Sequence, residues 1–177
     1  HGGRTVSETI TLAASDFEVL CSLLDARLLF GDPSAFEDFR IRVRDELVRP
    51  SRPELVRWLG VRRSERHRRF GETPHLLSPN LKEGRGGQRD LQTVHWLETL
   101  WRGNGEQPPF LSSSEREALA QDGAFLSRVR IVLHRLSRRK NDALHLEIQP
   151  ELAERLGYGP AGVNGGVERF LSDLHRA

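Results

Sequence analysis

Ser112 to Leu136 reads S-S-S-E-R-E-A-L-A-Q-D-G-A-F-L-S-R-V-R-I-V-L-H-R-L. Ser112 followed three residues later by Glu115 is a capping box, in which each side chain can satisfy the other residue's free backbone amide at a helix start. Phe125, Val129, Val132, Leu133 and Leu136 then recur at helical spacing, so one long helix with a single apolar stripe is expected. The same logic extends in both directions along the chain. Ser15 with Glu18 predicts another capping box, opening a helix through Phe17, Leu20, Cys21, Leu24 and Leu28 that Gly31 stops. Asp32 before Pro33 gives an N-cap and a first-turn proline for a helix carrying Phe36, Phe39, Val43 and Leu47, expected to end near Pro50.

Ser51 and Pro53 are read as opening a further helix through Leu55, Trp58 and Leu59 into an arginine-dense end closed by Gly71. Positive charge suits a helix C-terminus, where exposed carbonyls carry partial negative charge. Glu72 to Gly87 loses periodicity and collects proline and glycine, which predicts a long ordered loop; such loops usually serve a function. Arg89 to Trp101 is helical again, with Leu91, Val94, Leu97 and Trp101 expected inward. Asn141 and Asp142 should break the long helix, Pro150 to Leu156 should form a short one capped by Gly157, and Val167, Phe170, Leu171 and Leu174 mark a terminal helix. The only strand signal lies at Arg4 to Val6. The fold class is therefore all-α, a bundle of five to seven helices with a long ordered loop.

Composition narrows the function classes. With 29% charged and 37% hydrophobic residues in 177, the chain can bury a core. No run approaches the roughly 18 apolar residues of a membrane span, and no signal peptide is visible, so a soluble cytoplasmic protein is expected. A lone Cys21 among leucines and valine excludes a disulfide framework within one chain and reads as a buried thiol. The 27 basic residues oppose 25 acidic ones. The basic run from Arg62 to Arg69 has no interleaved aromatic beyond Phe70, so nucleic-acid binding is not expected.

Pro79 to Trp96 reads P-N-L-K-E-G-R-G-G-Q-R-D-L-Q-T-V-H-W. This resembles the signature segment of the bifunctional PII uridylyltransferase/uridylyl-removing family, with Gln88 where that family usually has leucine. Arg66, His67, Arg69, Phe70 and Gly71 are similar to its R-H-x-R-[YF]-G; Arg128, Val129, Arg130, Leu133 and His134 to its R-V-R-x-x-L-H. Gln149, Ala153, Leu156, Gly157 and Tyr158 fit a third segment, and His1, Arg4, Thr5, Asp16, Leu23 to Asp25, Arg27, Leu28, Gly31 and Asp32 fit a fourth. The resemblance implies that residues 1–14 close an α/β nucleotidyltransferase domain and residues 15–177 form its helical neighbour. It also implies transfer of UMP or AMP from UTP or ATP to a PII nitrogen-regulatory protein, with removal by a separate hydrolase domain. Mg2+ would be held by carboxylates lying before His1, and the hydrolase motif would lie after Ala177. No catalytic or metal-binding residue is expected in this segment, which should be silent alone.

Lys82, Arg85 and Arg89 surround Gly84, Gly86 and Gly87 at a helix start, an arrangement suited to phosphate if free amides point outward. An interdomain clamp, with these cations paired to Glu83, Asp90 or another domain, is the competing reading. His1, Arg4, Asn80, Asp90, Arg130 and His134 are further candidates for facing an active site or partner. Arg130, His134 and Arg138 recur every fourth residue, and a solvated basic face is expected of them.

Overall fold

The computed structural model describes residues 3–71, 78–102, 110–159 and 165–177. Among these described residues eight α-helices follow in order: α1 (Val6–Ser15), α2 (Phe17–Leu24), α3 (Pro33–Arg42), α4 (Arg49–Gly71), α5 (Gln88–Arg102), α6 (Ser113–Ser137), α7 (Gln149–Arg155) and α8 (Gly166–Arg176). A π-helical stretch, Val43–Val48, joins α3 to α4 without a break, and a single 3-10 turn, Leu146–Ile148, leads into α7. Among the described residues there is no strand beyond an isolated bridge between Asn80 and Ala143. The architecture is all-α.

Several helix starts are set by side chains that accept the first free amides. Thr5 and Glu8 form a capping box on α1, so the strand expected at Arg4 to Val6 is instead a cap and a first turn. Asp16, not Ser15, caps α2: its carboxylate accepts from Glu18 and Val19, whereas the Ser15 hydroxyl bonds back to the Leu12 carbonyl within α1. Asp32 caps α3 through Ser34, and Ser112 with Glu115 makes the expected box on α6.

The helix expected to stop near Pro50 does not stop. Pro50 has no amide to give and its ring would crowd the carbonyl four residues earlier. The π stretch just before it widens the turn, with the Arg49 amide donating to the Arg44 carbonyl, five residues back. The chain thereby stays helical from Pro33 to Gly71, and the eight spans amount to seven helical rods.

The chain divides into two compact units, residues 1–62 with 94–110, and residues 63–93 with 111–177. In the first, Ile10, Ala13, Leu20, Cys21, Val43, Leu47, Val48, Leu55, Leu59 and Leu100 form the core. On α5 the inward side chains here are Trp96, Leu97 and Leu100; Trp101 is 40% exposed and stacks at 6.0 Å on Phe110, contrary to its expected burial. In the second unit Leu81, Leu126, Val129, Leu133, Leu144, Leu152, Ala153 and Phe170 are buried together. Gly157 ends α7 with a positive φ of 92°, letting Tyr158 donate back to the Ala153 carbonyl. The Tyr158 ring then meets Phe170 edge-on at 5.6 Å, and its hydroxyl donates to Asp173 at 2.9 Å, which fastens α8. Residues 72–77 of the expected loop lie outside the described residues; residues 78–87 are ordered turns.

Candidate functional site

The turns from Pro79 to Gly87 are built by one asparagine and two tight glycines. Asn80 Oδ1 accepts the amides of Lys82 (3.1 Å) and Glu83 (2.8 Å), and its carbonyl accepts that of Gly84 (2.9 Å). A Cβ at Gly84 would lie 2.6 Å from the Asn80 oxygen, and one at Gly87 would lie 2.9 Å from the carbonyls of both Gly84 and Lys82. These glycines are required by the approach of the loop to itself. Gly86 is exposed with φ at 69°. Gln88, the departure from the family pattern, donates its amide to the Leu81 carbonyl at 3.0 Å.

Nearly every amide of the segment is thereby committed within the fold. Gly87 donates to Gly84, Arg89 to Lys82, and Leu81 to the Asp142 carbonyl at 2.8 Å. The Gly86 amide donates to Asp90 Oδ2 at 2.9 Å. The outward-pointing amides on which an amide-lined phosphate cradle depends are therefore not what the loop offers; the Arg85 amide alone, among residues 81–90, lacks an acceptor among the described residues.

Asp90 is the centre of a charged cluster. Arg66 pairs with its Oδ1, His67 Nε2 lies 2.8 Å from Oδ2, and Arg63 Nε stands 3.7 Å away. An ionised carboxylate only accepts, so His67 Nε2 carries the proton. Burial pushes the Asp90 carboxyl up, but the Gly86 amide, His67 and Arg66 outweigh it and hold it below its ordinary value.

A second cluster has the same composition. Arg130 Nη2 and His134 Nε2 approach Asp142 Oδ1 at 2.7 and 3.0 Å. Here too burial raises the carboxyl while the bonds from Arg130 and His134 bring it below its ordinary value. Arg130 is only 14% exposed, so it and His134 do not make the solvated basic face expected of them; the chain turning back after α6 supplies their carboxylate. Arg138 sits at the end of α6 in a left-handed conformation, apart from that pairing.

The candidate cations separate. Lys82 Nζ and Arg89 Nε share Glu83, at 3.4 and 3.7 Å, and Arg89 also donates to Gln92 at 2.6 Å. Arg85 is exposed, and no hydrogen bond or ion pair reaches it among the described residues. Beside it opens a cleft of about 380 Å³, floored by Phe70, Leu91 and Leu126 and edged by Gly84, Arg85 and His175. Arg4 is exposed in the other unit, and His1 lies outside the described residues.

The carboxylates present do not suit a divalent cation. Asp90 and Asp142 are each occupied by an arginine and a histidine, and no three His, Cys, Asp or Glu side chains converge on a metal site among the described residues. Asp16 and Asp32 are caps, while Asp25 accepts from Trp96 Nε1 at 3.0 Å. Arg66 and His67 join the Asp90 cluster without being among the expected site residues; their place in the R-H-x-R-[YF]-G resemblance is the one sequence signal that singles them out.

Among the described residues no helix is long and apolar enough to cross a membrane. No solved structure matches the chain. The family model described as GlnD PII-uridylyltransferase matches residues 60–177. Proteins named bifunctional uridylyltransferase/uridylyl-removing enzyme from two strains of Caulobacter vibrioides are 36% identical over 176 residues, covering 97% of this chain and 19% of their own length. The chain thus spans about a fifth of the curated relatives it matches, and by the family model over residues 60–177 it belongs to the GlnD PII-uridylyltransferase family.

Proposed function

We propose that the full-length protein transfers UMP, or AMP, from a nucleoside triphosphate to a PII nitrogen-regulatory protein and removes it through a separate hydrolase activity in the cytoplasm. Residues 1–14 close the nucleotidyltransferase domain in this reading, and the helical segment supports nucleotide binding and domain orientation. Mg2+, held by carboxylates other than those described here, would supply positive charge to offset that of the phosphates during transfer.

The observation that carries the segment's part is Arg85: an exposed guanidinium without a partner among the described residues, on an internally hydrogen-bonded loop at the edge of a cleft. Lys82 and Arg89 share the single carboxylate of Glu83, so the loop keeps a positive surplus that attracts a polyanion. A guanidinium can hold two phosphate oxygens at once, which suits Arg85 to a triphosphate. The glycine backbone contributes the shape of the loop rather than the anion contacts.

Full-length protein incubated with labelled UTP or ATP, Mg2+ and a PII protein tests the reading. Label on a PII tyrosine, released again on prolonged incubation, is the expected result and also names the donor. Absence of transfer from both nucleotides to PII would leave a non-catalytic helical module.

A further inference from the structure

We infer that Asp90 and Asp142 are positioning residues, each pinning the backbone one residue away from a cation of the loop. The inference rests on the nucleotide reading of Lys82 and Arg85 and goes beyond it by naming what holds them.

The two clusters share one plan. Each centres on a carboxylate that is mostly buried, at 16% and 13% side-chain exposure, and each carboxylate receives an arginine and a histidine from a neighbouring helix. Arg66 and His67 of α4 hold Asp90, and Asp90 in turn holds the amide of Gly86, the residue after Arg85. Arg130 and His134 of α6 hold Asp142, and the Asp142 carbonyl holds the amide of Leu81, the residue before Lys82. The bridge of Ala143 to Asn80 and the bond from Leu144 to the Pro79 carbonyl reinforce the second attachment. The loop is thus suspended between two anchors, and Lys82 and Arg85 stand just inside them.

The charge arrangement fits positioning rather than ligand contact. Asp90 already fills the Gly86 amide, so an incoming anion there would have to displace a carboxylate held by Arg66 and His67. Those cations also screen Asp90, which lowers its repulsion of a phosphate beside Arg85. A bond to an ionised acceptor is stronger than one between neutral groups and holds an exposed glycine in one conformation, and a small displacement of a binding cation is costly to affinity.

A double-mutant cycle in the full-length protein tests this, with KM and kcat measured for UTP and for ATP in the presence of Mg2+ and PII. Asp90→Ala should raise the nucleotide KM roughly tenfold with a much smaller change in kcat, and Asp90→Asn, which keeps an oxygen for the Gly86 amide, should recover most of the loss. The double variant Asp90→Ala/Arg85→Ala should be no worse than Arg85→Ala alone, because Asp90 acts through Arg85. Additive losses in KM overturn the proposal. Should Asp90→Ala fail to fold, Arg66→Lys enters the same cycle with the same expectation. An unchanged KM in Arg85→Ala sinks the nucleotide reading instead, and hydrogen exchange at Gly86 then decides the pinning by itself. Exchange accelerated by roughly tenfold or more in Asp90→Ala supports it, and unchanged exchange overturns it.

Discussion

Leu81 donates its amide to the Asp142 carbonyl at 2.8 Å, and this bond fastens the glycine loop to the segment that follows α6. Residues 61 positions apart are joined backbone to backbone, so the second unit's fold sets where the loop is held, while the loop's own asparagine and glycines set its turns. The consequences can be measured.

Glycine substitutions should separate by cause. Gly84→Ala and Gly87→Ala place a Cβ 2.6 and 2.9 Å from backbone oxygens, which cannot swing aside as a side chain can. Each should destabilise the second unit by about 1–3 kcal/mol. Gly86→Ala meets open space and pays only for its positive φ, about 1–2 kcal/mol. Urea denaturation of the three variants should give the smallest loss for Gly86→Ala.

Asn80→Ala removes the acceptor of two amides, those of Lys82 and Glu83. A loss of about 1–3 kcal/mol is expected, with faster exchange at both amides; Asn80→Asp, which keeps the oxygen, should restore most protection. Equal behaviour of the two variants would show that the Oδ1 bonds contribute little.

Acid should loosen the second unit through its two aspartates. Asp90 faces Arg63, Arg66, His67 and the Gly86 amide, and Asp142 faces Arg130 and His134. Both carboxyls are lowered from an ordinary value of 3.8, so their contribution is complete above that pH and is lost as pH falls through the lower folded-state values. Thermal unfolding between pH 6 and pH 2 should show stability falling below about pH 4. Asp142→Asn should flatten part of that limb.

Cys21 is 1% exposed, and burial, with Asp25 and Glu18 nearby, pushes its thiol up to about 12. The thiolate is the reactive form, so a thiol-specific reagent should label native protein far more slowly than urea-unfolded protein at pH 8.

What the sequence made legible follows from which interactions are local. The Ser112–Glu115 box, the Asp32 cap and the glycine end of α7 depend on neighbours within a few residues, and all were readable. Thr5 with Glu8 carries the same local signal, and it outweighs the strand signal at Arg4 to Val6. Ser15 had the right spacing to Glu18, but an adjacent aspartate took the cap. Pro50 gave a correct local warning that the π stretch before it absorbs. The loop was recognisable as a feature, while the fate of its amides was not, because their acceptors depend on turn geometry and on Asp142. Arg66 and His67 reach Asp90 across more than 20 residues, a pairing that helical periodicity does not encode.

The central claim is that Arg85, with Lys82 beside it, meets a nucleotide's phosphates. Steady-state kinetics of full-length Lys82→Glu/Arg85→Glu, set beside its thermal stability, test it most directly. The expected result is a nucleotide KM raised by roughly tenfold or more with only a modest change in melting, since exposed Arg85 contributes little to folding and half-buried Lys82 contributes one ion pair with Glu83. An unaltered KM for both UTP and ATP in a folded variant would contradict the claim.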